Sequence, residues 1–173
     1  MANTAQSYVR KLDFKHDILP LKDIIFRTSL RITMNREEAE DIVQDILMKL
    51  WQQREELKDV KNLEAFAVAS ARNLALDRMA KAELRNVSFE ESTHDRADEW
   101  QMSAHEQMEH DERLSRVNDM INALPEKQKM VLHLRDIEGK SYKDIADIMS
   151  ITEADVKVNL FRARENLRKN YRY

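Results

Sequence analysis

Glycine and proline are nearly missing from this chain, with one glycine and two prolines among 173 residues. Proteins contain on average about 12% of these two residue types together. Tight β-hairpin turns and phosphate-binding loops depend on glycine, so this chain lacks the residues from which they are made. Apolar and charged residues instead recur at helical spacing. The sequence therefore predicts an all-α protein.

The residue content also excludes several kinds of chemistry. The chain has no cysteine, so it forms no disulfide, thiolate metal site or cysteine nucleophile. No Ser, His and Asp arrangement indicates nucleophilic catalysis, and we expect no catalytic residues, no cofactor and no metal. Apolar runs are far shorter than the about 20 residues that cross a membrane, and the polar start MANTAQSYVR is unlike a secretory signal. We expect a cytoplasmic protein.

The net charge of −3 hides a strong asymmetry along the chain. Residues 82–112 contain ten acidic and two basic residues, a net charge of −8, whereas residues 157–173 contain six basic residues and one acidic residue. The segment 85–111 has too few apolar residues to order itself by burial. We therefore predict two small helical domains, 1–84 and 112–173, joined by a flexible acidic linker, 85–111. Its acids either keep the linker soluble or suit a basic channel of a partner, and the sequence leaves both open.

The first domain is predicted to contain three to four helices, including segments at about 21–34, 38–51 and 64–81, with a polar loop at 52–62. In the segment 38–51 the apolar residues follow the spacing of an amphipathic helix. They are Ala39, Ile42, Val43, Ile46, Leu47, Leu50 and Trp51. The shared outer face then carries Asp41, Gln44, Asp45 and Met48. This face is solvated, binds a basic partner or holds a metal, and no histidine or second acidic pair supports the metal.

The second domain is predicted to contain four helices. Pro125 suits the start of the second helix and Gly139 suits its end. Ser141 caps the third helix and Thr152 caps the fourth, each with an acid three residues later. Two capped helices joined by a tight turn at 150–151 are typical of a helix-turn-helix.

The fourth helix of this domain has two distinct faces. Val156, Leu160, Ala163 and Leu167 face inward, and the opposite face carries Lys157, Phe161, Arg164 and Arg168. An exposed aromatic side chain among basic residues indicates a binding surface, and DNA is the partner that such a helix suits. Alternatively, Phe161 packs on a neighbouring helix and the basic residues form a solvated face.

Three stretches of the chain resemble one family in order and spacing. They are AEDIVQDILMKLW at 39–51, ARNLALDRM at 71–79, and the segment from LPEKQKMVL to FRARENLR at 124–168. Together they resemble the extracytoplasmic-function (ECF) branch of bacterial sigma factors. The sequence departs from the family pattern at Phe66, where tryptophan is common, and at Ser150, where a glycine or similar small residue is frequent. Ala154 and Asp155 stand where Gly-Thr is frequent, so promoter sequence is not carried over.

The resemblance implies that the first domain docks on RNA polymerase and acts at the minus-ten element. Contacts to the clamp helices of the largest polymerase subunit are then assigned to Asp41, Gln44, Asp45 and Met48. Arg72, Asn73 and the loop 52–62 would act on the minus-ten DNA, with the loop capturing a flipped base. Asp77 is expected to tie its helix to the neighbouring helices.

The second domain is implied to bind the minus-thirty-five element in the major groove. The candidate DNA contacts are Lys157, Val158, Phe161, Arg162, Arg164 and Arg168. Lys157 and Phe161 suit base edges, whereas the three arginines suit phosphates. The resemblance further implies an anti-sigma factor as a partner, often membrane-anchored, and no small-molecule substrate.

Two other classes of function remain open at this stage. A dimeric helix-turn-helix regulator would bind DNA without polymerase, but the chain offers no long heptad seam for a dimer. A protein–protein adaptor would not bind DNA, and the basic terminal helix argues against it. Sedimentation and the salt dependence of DNA binding discriminate these alternatives.

Overall fold

The computed structural model describes residues 12–85 and 104–171, and the chain divides into two compact units, Met1–Ser88 and Phe89–Tyr173. Eight α-helices and no β-strand occur within the described residues. The expectation of an all-α protein built from two small helical domains is thereby confirmed.

The first unit contains four α-helices in the described residues: α1 Lys22–Thr33, α2 Arg36–Gln52, α3 Arg54–Leu57 and α4 Leu63–Arg85. A π-helical turn, Phe14–Ile18, precedes them. Asn35 caps α2, because its Oδ1 accepts a hydrogen bond from the Glu38 N–H at 3.1 Å. The predicted loop at 52–62 differs from expectation in containing the short helix α3, whose Leu57 is buried.

Helix α1 packs against both α2 and α4 and forms the core of the first unit with them. The small side chains of α4 allow close approach between helices, since Ala67, Ala71 and Ala75 are completely buried. The inward stripe predicted for α2 is buried at all but two positions, and the first of these, Leu47, is half-buried. Trp51, expected to face inward, is 40% exposed, because it lies in the last turn of α2 and meets Phe14 rather than the core.

The second unit contains α5 Ala104–Asn122, α6 Glu126–Leu132, α7 Tyr142–Met149 and α8 Glu153–Asn170. A π-helical turn, His133–Ile137, continues α6. Helix α5 begins at Ala104, within the segment 85–111 that was predicted as the linker. The rest of the predicted linker, 86–103, lies outside the described residues.

Local hydrogen bonds define the helix-turn-helix formed by α7 and α8. The Ser141 hydroxyl accepts from the Asp144 N–H at 3.1 Å and so caps α7. Ser150 ends α7 in the left-handed region, with φ of 53°. Thr152 and Asp155 form a reciprocal capping box at the start of α8. These caps confirm the predicted helix starts and fix the rotation of α8.

Candidate functional site

Four side chains predicted to share the outer face of α2 are all exposed along it. We call Asp41, Gln44, Asp45 and Met48 the α2 stripe. Met48 is 55% exposed, a large value for an apolar side chain. Because the residues recur every three or four positions, they point in similar directions from the helix. The stripe combines acidic groups, an amide and an apolar side chain on one surface.

The structure places a basic residue beside the α2 stripe that sequence reasoning missed. Arg78 of α4 donates from Nη2 to Asp45 Oδ2 at 2.6 Å and from Nη1 to Glu38 Oε2 at 3.0 Å. Burial acts to lower the pKa of Arg78, but the hydrogen bond to Glu38 and the charges of both acids outweigh it, so that pKa is raised. Asp77 was predicted to connect α4 to the neighbouring helices, and this prediction is wrong because Asp77 is exposed. The next residue, Arg78, connects α4 to α2 instead.

An aromatic group lies at the end of α2. The Phe14 and Trp51 rings meet edge to face with centroids 5.7 Å apart. The Arg54 guanidinium carbon lies 4.3 Å from the Trp51 ring centroid, and its Nη1 donates to the Trp51 carbonyl at 2.9 Å. These contacts hold a partly exposed indole in one orientation.

The two residues assigned to the minus-ten element are in contact on α4. Arg72 Nη1 donates to Asn73 Oδ1 at 3.2 Å. Asn73 is exposed, whereas Arg72 is half-buried. The start of α4 is fixed by Asn62, whose Oδ1 accepts from the Ala65 N–H at 2.9 Å. The loop before it therefore has a defined anchor at its C-terminal end.

The outward face of α8 carries the residues assigned to the minus-thirty-five element. Lys157, Val158, Phe161, Arg162, Arg164 and Arg168 are all exposed. Phe161 is 66% exposed, so the alternative in which it packs on a neighbouring helix of its unit is wrong. The opposite face of α8 is buried through Val156, Leu160 and Ala163. The helix thus presents an aromatic side chain among basic residues to solvent.

Two cations of this surface contact the ring of Tyr142, the first residue of α7. Tyr142 is half-buried, and its ring centroid lies 5.8 Å from Lys157 Nζ and 4.9 Å from the Arg135 guanidinium carbon. Arg135 also donates from Nη1 to the Lys140 carbonyl at 2.7 Å. Tyr142 and Arg135 therefore extend the basic surface of α8 toward α7. No sequence signal marked Arg135, because its contacts depend on packing.

Arg164 faces a carboxylate of its own unit. It donates from Nε to Asp136 Oδ2 at 3.1 Å and from Nη2 to Asp136 Oδ1 at 2.5 Å. The hydrogen bonds to Asp136 raise the pKa of Arg164, and burial opposes them only in part. The Arg164 guanidinium is therefore already paired with a carboxylate in the unbound chain. The sequence had indicated only a contact to DNA phosphate for this residue.

Within the described ranges, no group of three or more His, Asp or Glu side chains could hold a metal ion. In the same part of the chain, no helix is both long enough and apolar enough to span a membrane.

A capped helix-turn-helix with a basic and aromatic second helix defines a class of DNA-binding protein. Comparison with known families narrows that class. The family model described as Sigma-70 region 2 matches residues 19–85, and the model for Sigma-70, region 4 matches residues 114–167. The first match contains the α2 stripe, and the second contains α7 and α8 as far as Leu167.

Individual relatives agree with the family models. RNA polymerase sigma-H factor of Pseudomonas aeruginosa is 29% identical over 168 residues, covering 91% of this chain and 82% of the relative. ECF RNA polymerase sigma factor SigL of Mycobacterium tuberculosis is 30% identical over 146 residues, covering 84% and 81%. The sigma factor RpoE from Bartonella quintana, solved in complex with the anti-sigma factor NepR, matches with a TM-score of 0.74 and 25% identity. That match covers 91% of this chain and 95% of the other.

The chain belongs to the ECF branch of the sigma-70 family of RNA polymerase sigma factors. It directs promoter-specific transcription initiation by RNA polymerase. The resemblance read from the three sequence stretches is thereby confirmed.

Proposed function

We propose a division of labour between the two units of this sigma factor. Residues 1–84 bind core polymerase and melt the minus-ten element, and residues 112–173 bind the minus-thirty-five element. The observation that carries the second assignment is Phe161, an exposed aromatic side chain on a capped helix among Lys157 and the basic residues. The protein works in the cytoplasm and has no active site of its own, since the polymerase performs the chemistry.

Core docking is proposed at the α2 stripe. Its acids complement basic side chains on the clamp helices of the largest polymerase subunit, and Met48 supplies an exposed apolar contact at the C-terminal end of the stripe. Interface energy concentrates on a few side chains that become desolvated, and an exposed methionine one turn from Asp45 suits such a contact.

The test is co-purification with core RNA polymerase followed by run-off transcription. Reversing both acids, Asp41→Lys with Asp45→Lys, should weaken core binding and run-off yield while helix content is retained. The matched control is Asp23→Lys with Glu40→Lys, which makes the same charge change at exposed positions outside the stripe. Equal losses in the two double variants would rule out the stripe as the docking site.

Regulation by an anti-sigma factor, in free or membrane-anchored form, is also part of the proposal. Support comes from the Bartonella quintana relative, which was solved with the anti-sigma factor NepR. Adding an anti-sigma factor that co-purifies with this chain should abolish run-off transcription, and adding excess sigma factor should restore it. Inhibition that excess sigma factor leaves unchanged would contradict direct binding.

A further inference from the structure

Arg78 bridges two acids at the edge of the α2 stripe. Its guanidinium spans Glu38 and Asp45, which lie seven residues apart on α2, with bonds of 3.0 and 2.6 Å. The Arg78 side chain is 28% exposed, whereas both carboxylates are 48% exposed. The planar guanidinium group carries several N–H donors and can therefore bind two carboxylates at once. The cation is thus the more buried member of the cluster and stays attached to α4.

The three acids on this side of α2 differ in how far they are neutralised. Glu38 and Asp45 share one guanidinium. Asp41 is exposed and forms no ion pair with any residue that the structure describes. An approaching basic group therefore meets an unmasked carboxylate at Asp41 and, at Asp45, a carboxylate with a cation already attached. Coulomb repulsion from that cation reduces the attraction at Asp45.

We infer that Arg78 is an internal counter-ion that masks Asp45, so that basic side chains of core polymerase are attracted chiefly by Asp41. The inference rests on the proposed docking role of the α2 stripe. Removing Arg78 unmasks Asp45 and makes the stripe more negative, which strengthens attraction to a basic partner. Arg78 is therefore a positioning residue that tunes affinity for polymerase from within the chain.

Two other roles for Arg78 predict the opposite result. If the bridge only ties α2 to α4, its loss disturbs the stripe and weakens docking. If the bridge holds Asp45 in the orientation that polymerase requires, its loss also weakens docking. The direction of the change in affinity therefore separates masking from both alternatives.

The experiment compares full-length wild type, Arg78→Gln and Arg36→Gln for equilibrium binding to core RNA polymerase at low and high salt. Arg36→Gln is the matched control, because it removes one cation from an exposed ion pair with Glu40 elsewhere on α2. We expect Arg78→Gln to bind about three- to tenfold more tightly at low salt. The gain should shrink as salt rises. Arg36→Gln should bind like wild type.

A second substitution tests the masking directly. Asp45→Asn should change core affinity little in the wild-type background and weaken it clearly in the Arg78→Gln background, as a double-mutant cycle measures. If Arg78→Gln fails to fold, Arg78→Met replaces it, since methionine also removes the cation and keeps a long unbranched side chain. Its affinity should lie above that of wild type.

Several outcomes would overturn the inference. They are weaker or unchanged binding by Arg78→Gln relative to Arg36→Gln, affinity of a folded Arg78→Met no higher than wild type, and equal effects of Asp45→Asn in both backgrounds. Failure of the docking proposal is recognised separately, because the Asp41→Lys and Asp45→Lys double variant would then bind core polymerase like its control.

Discussion

Arg164 on α8 binds Asp136 through two nitrogen atoms, with Nε–Oδ2 and Nη2–Oδ1 separations of 3.1 and 2.5 Å. The pair joins the proposed DNA-reading helix to the π-helical turn before α7. Arg164 is 53% exposed in its side chain and Asp136 is 35% exposed. A phosphate that approaches Arg164 must therefore compete with a carboxylate already in place.

Asp136→Asn should strengthen non-specific attraction between the holoenzyme and DNA. The substitution releases Arg164 for a phosphate, and each added phosphate contact steepens the plot of log binding constant against log salt by about 0.9. Promoter binding measured over a series of salt concentrations gives that slope. Asp147→Asn is the control, because it removes an exposed acid from α7 in the same unit. Identical slopes for the two variants would show that Arg164 does not reach a phosphate.

Lys157→Ala should relax sequence preference at the minus-thirty-five element. Lys157 lies over Tyr142 and beside the exposed Phe161, and a good base contact is worth about 1–3 kcal/mol of discrimination. Arg168→Ala should instead weaken binding to all sequences alike and reduce the salt slope by about 1. Holoenzyme binding to a matched and a scrambled element separates the two effects. Equal weakening of both elements by Lys157→Ala would remove it from sequence readout.

Asn73→Ala should slow formation of the open complex. The Asn73 side chain is exposed on α4 and held by Arg72, so it is available to hydrogen-bond an unstacked base. One such bond contributes about 0.5–1.5 kcal/mol, which corresponds to a several-fold slower opening. Permanganate reactivity of the melted strand follows the rate. Asn118→Ala, an exposed asparagine of α5, should leave the rate unchanged, and equal rates for both variants would contradict the assignment.

Thr152→Ala should destabilise α8 and reduce its sensitivity to acid. The hydrogen bond from the Thr152 hydroxyl, followed by the backbone hydrogen bond of the same residue, lowers the pKa of Asp155. A lowered pKa contributes stability that is fully present above the unfolded value of about 3.9 and is lost as pH falls through the folded value. Loss of the Thr152 cap itself costs about 1 kcal/mol near neutral pH.

Urea unfolding of the full chain, followed by circular dichroism from neutral to acid pH, tests the capping box. Wild type should lose stability more steeply below about pH 4 than Thr152→Ala. Asp119→Asn, at an exposed acid of α5, should keep the wild-type profile. If the free energy of unfolding fell with equal slope at acid pH in wild type and Thr152→Ala, the capping box would not set the titration of Asp155.

The sequence by itself determined most of the helices, the caps of α7 and α8, and the family. The two residues of the capping box, Thr152 and Asp155, are only three positions apart. The buried residues of α8 likewise recur every three or four positions. Such interactions depend on neighbours along the chain, so spacing predicts them.

Only the tertiary structure decided how the charged residues of both interfaces are paired. Arg78 and Asp45 are 33 residues apart, and Arg164 and Asp136 are 28 residues apart. Helical periodicity places each side chain on a face, but it does not say which neighbouring helix lies beside that face. A long arginine side chain reaches any acid that packing brings within a few ångströms, and its choice follows the arrangement of the helices. The exposure of Trp51 has the same origin, since a position on the apolar side of α2 is buried only where another element covers it.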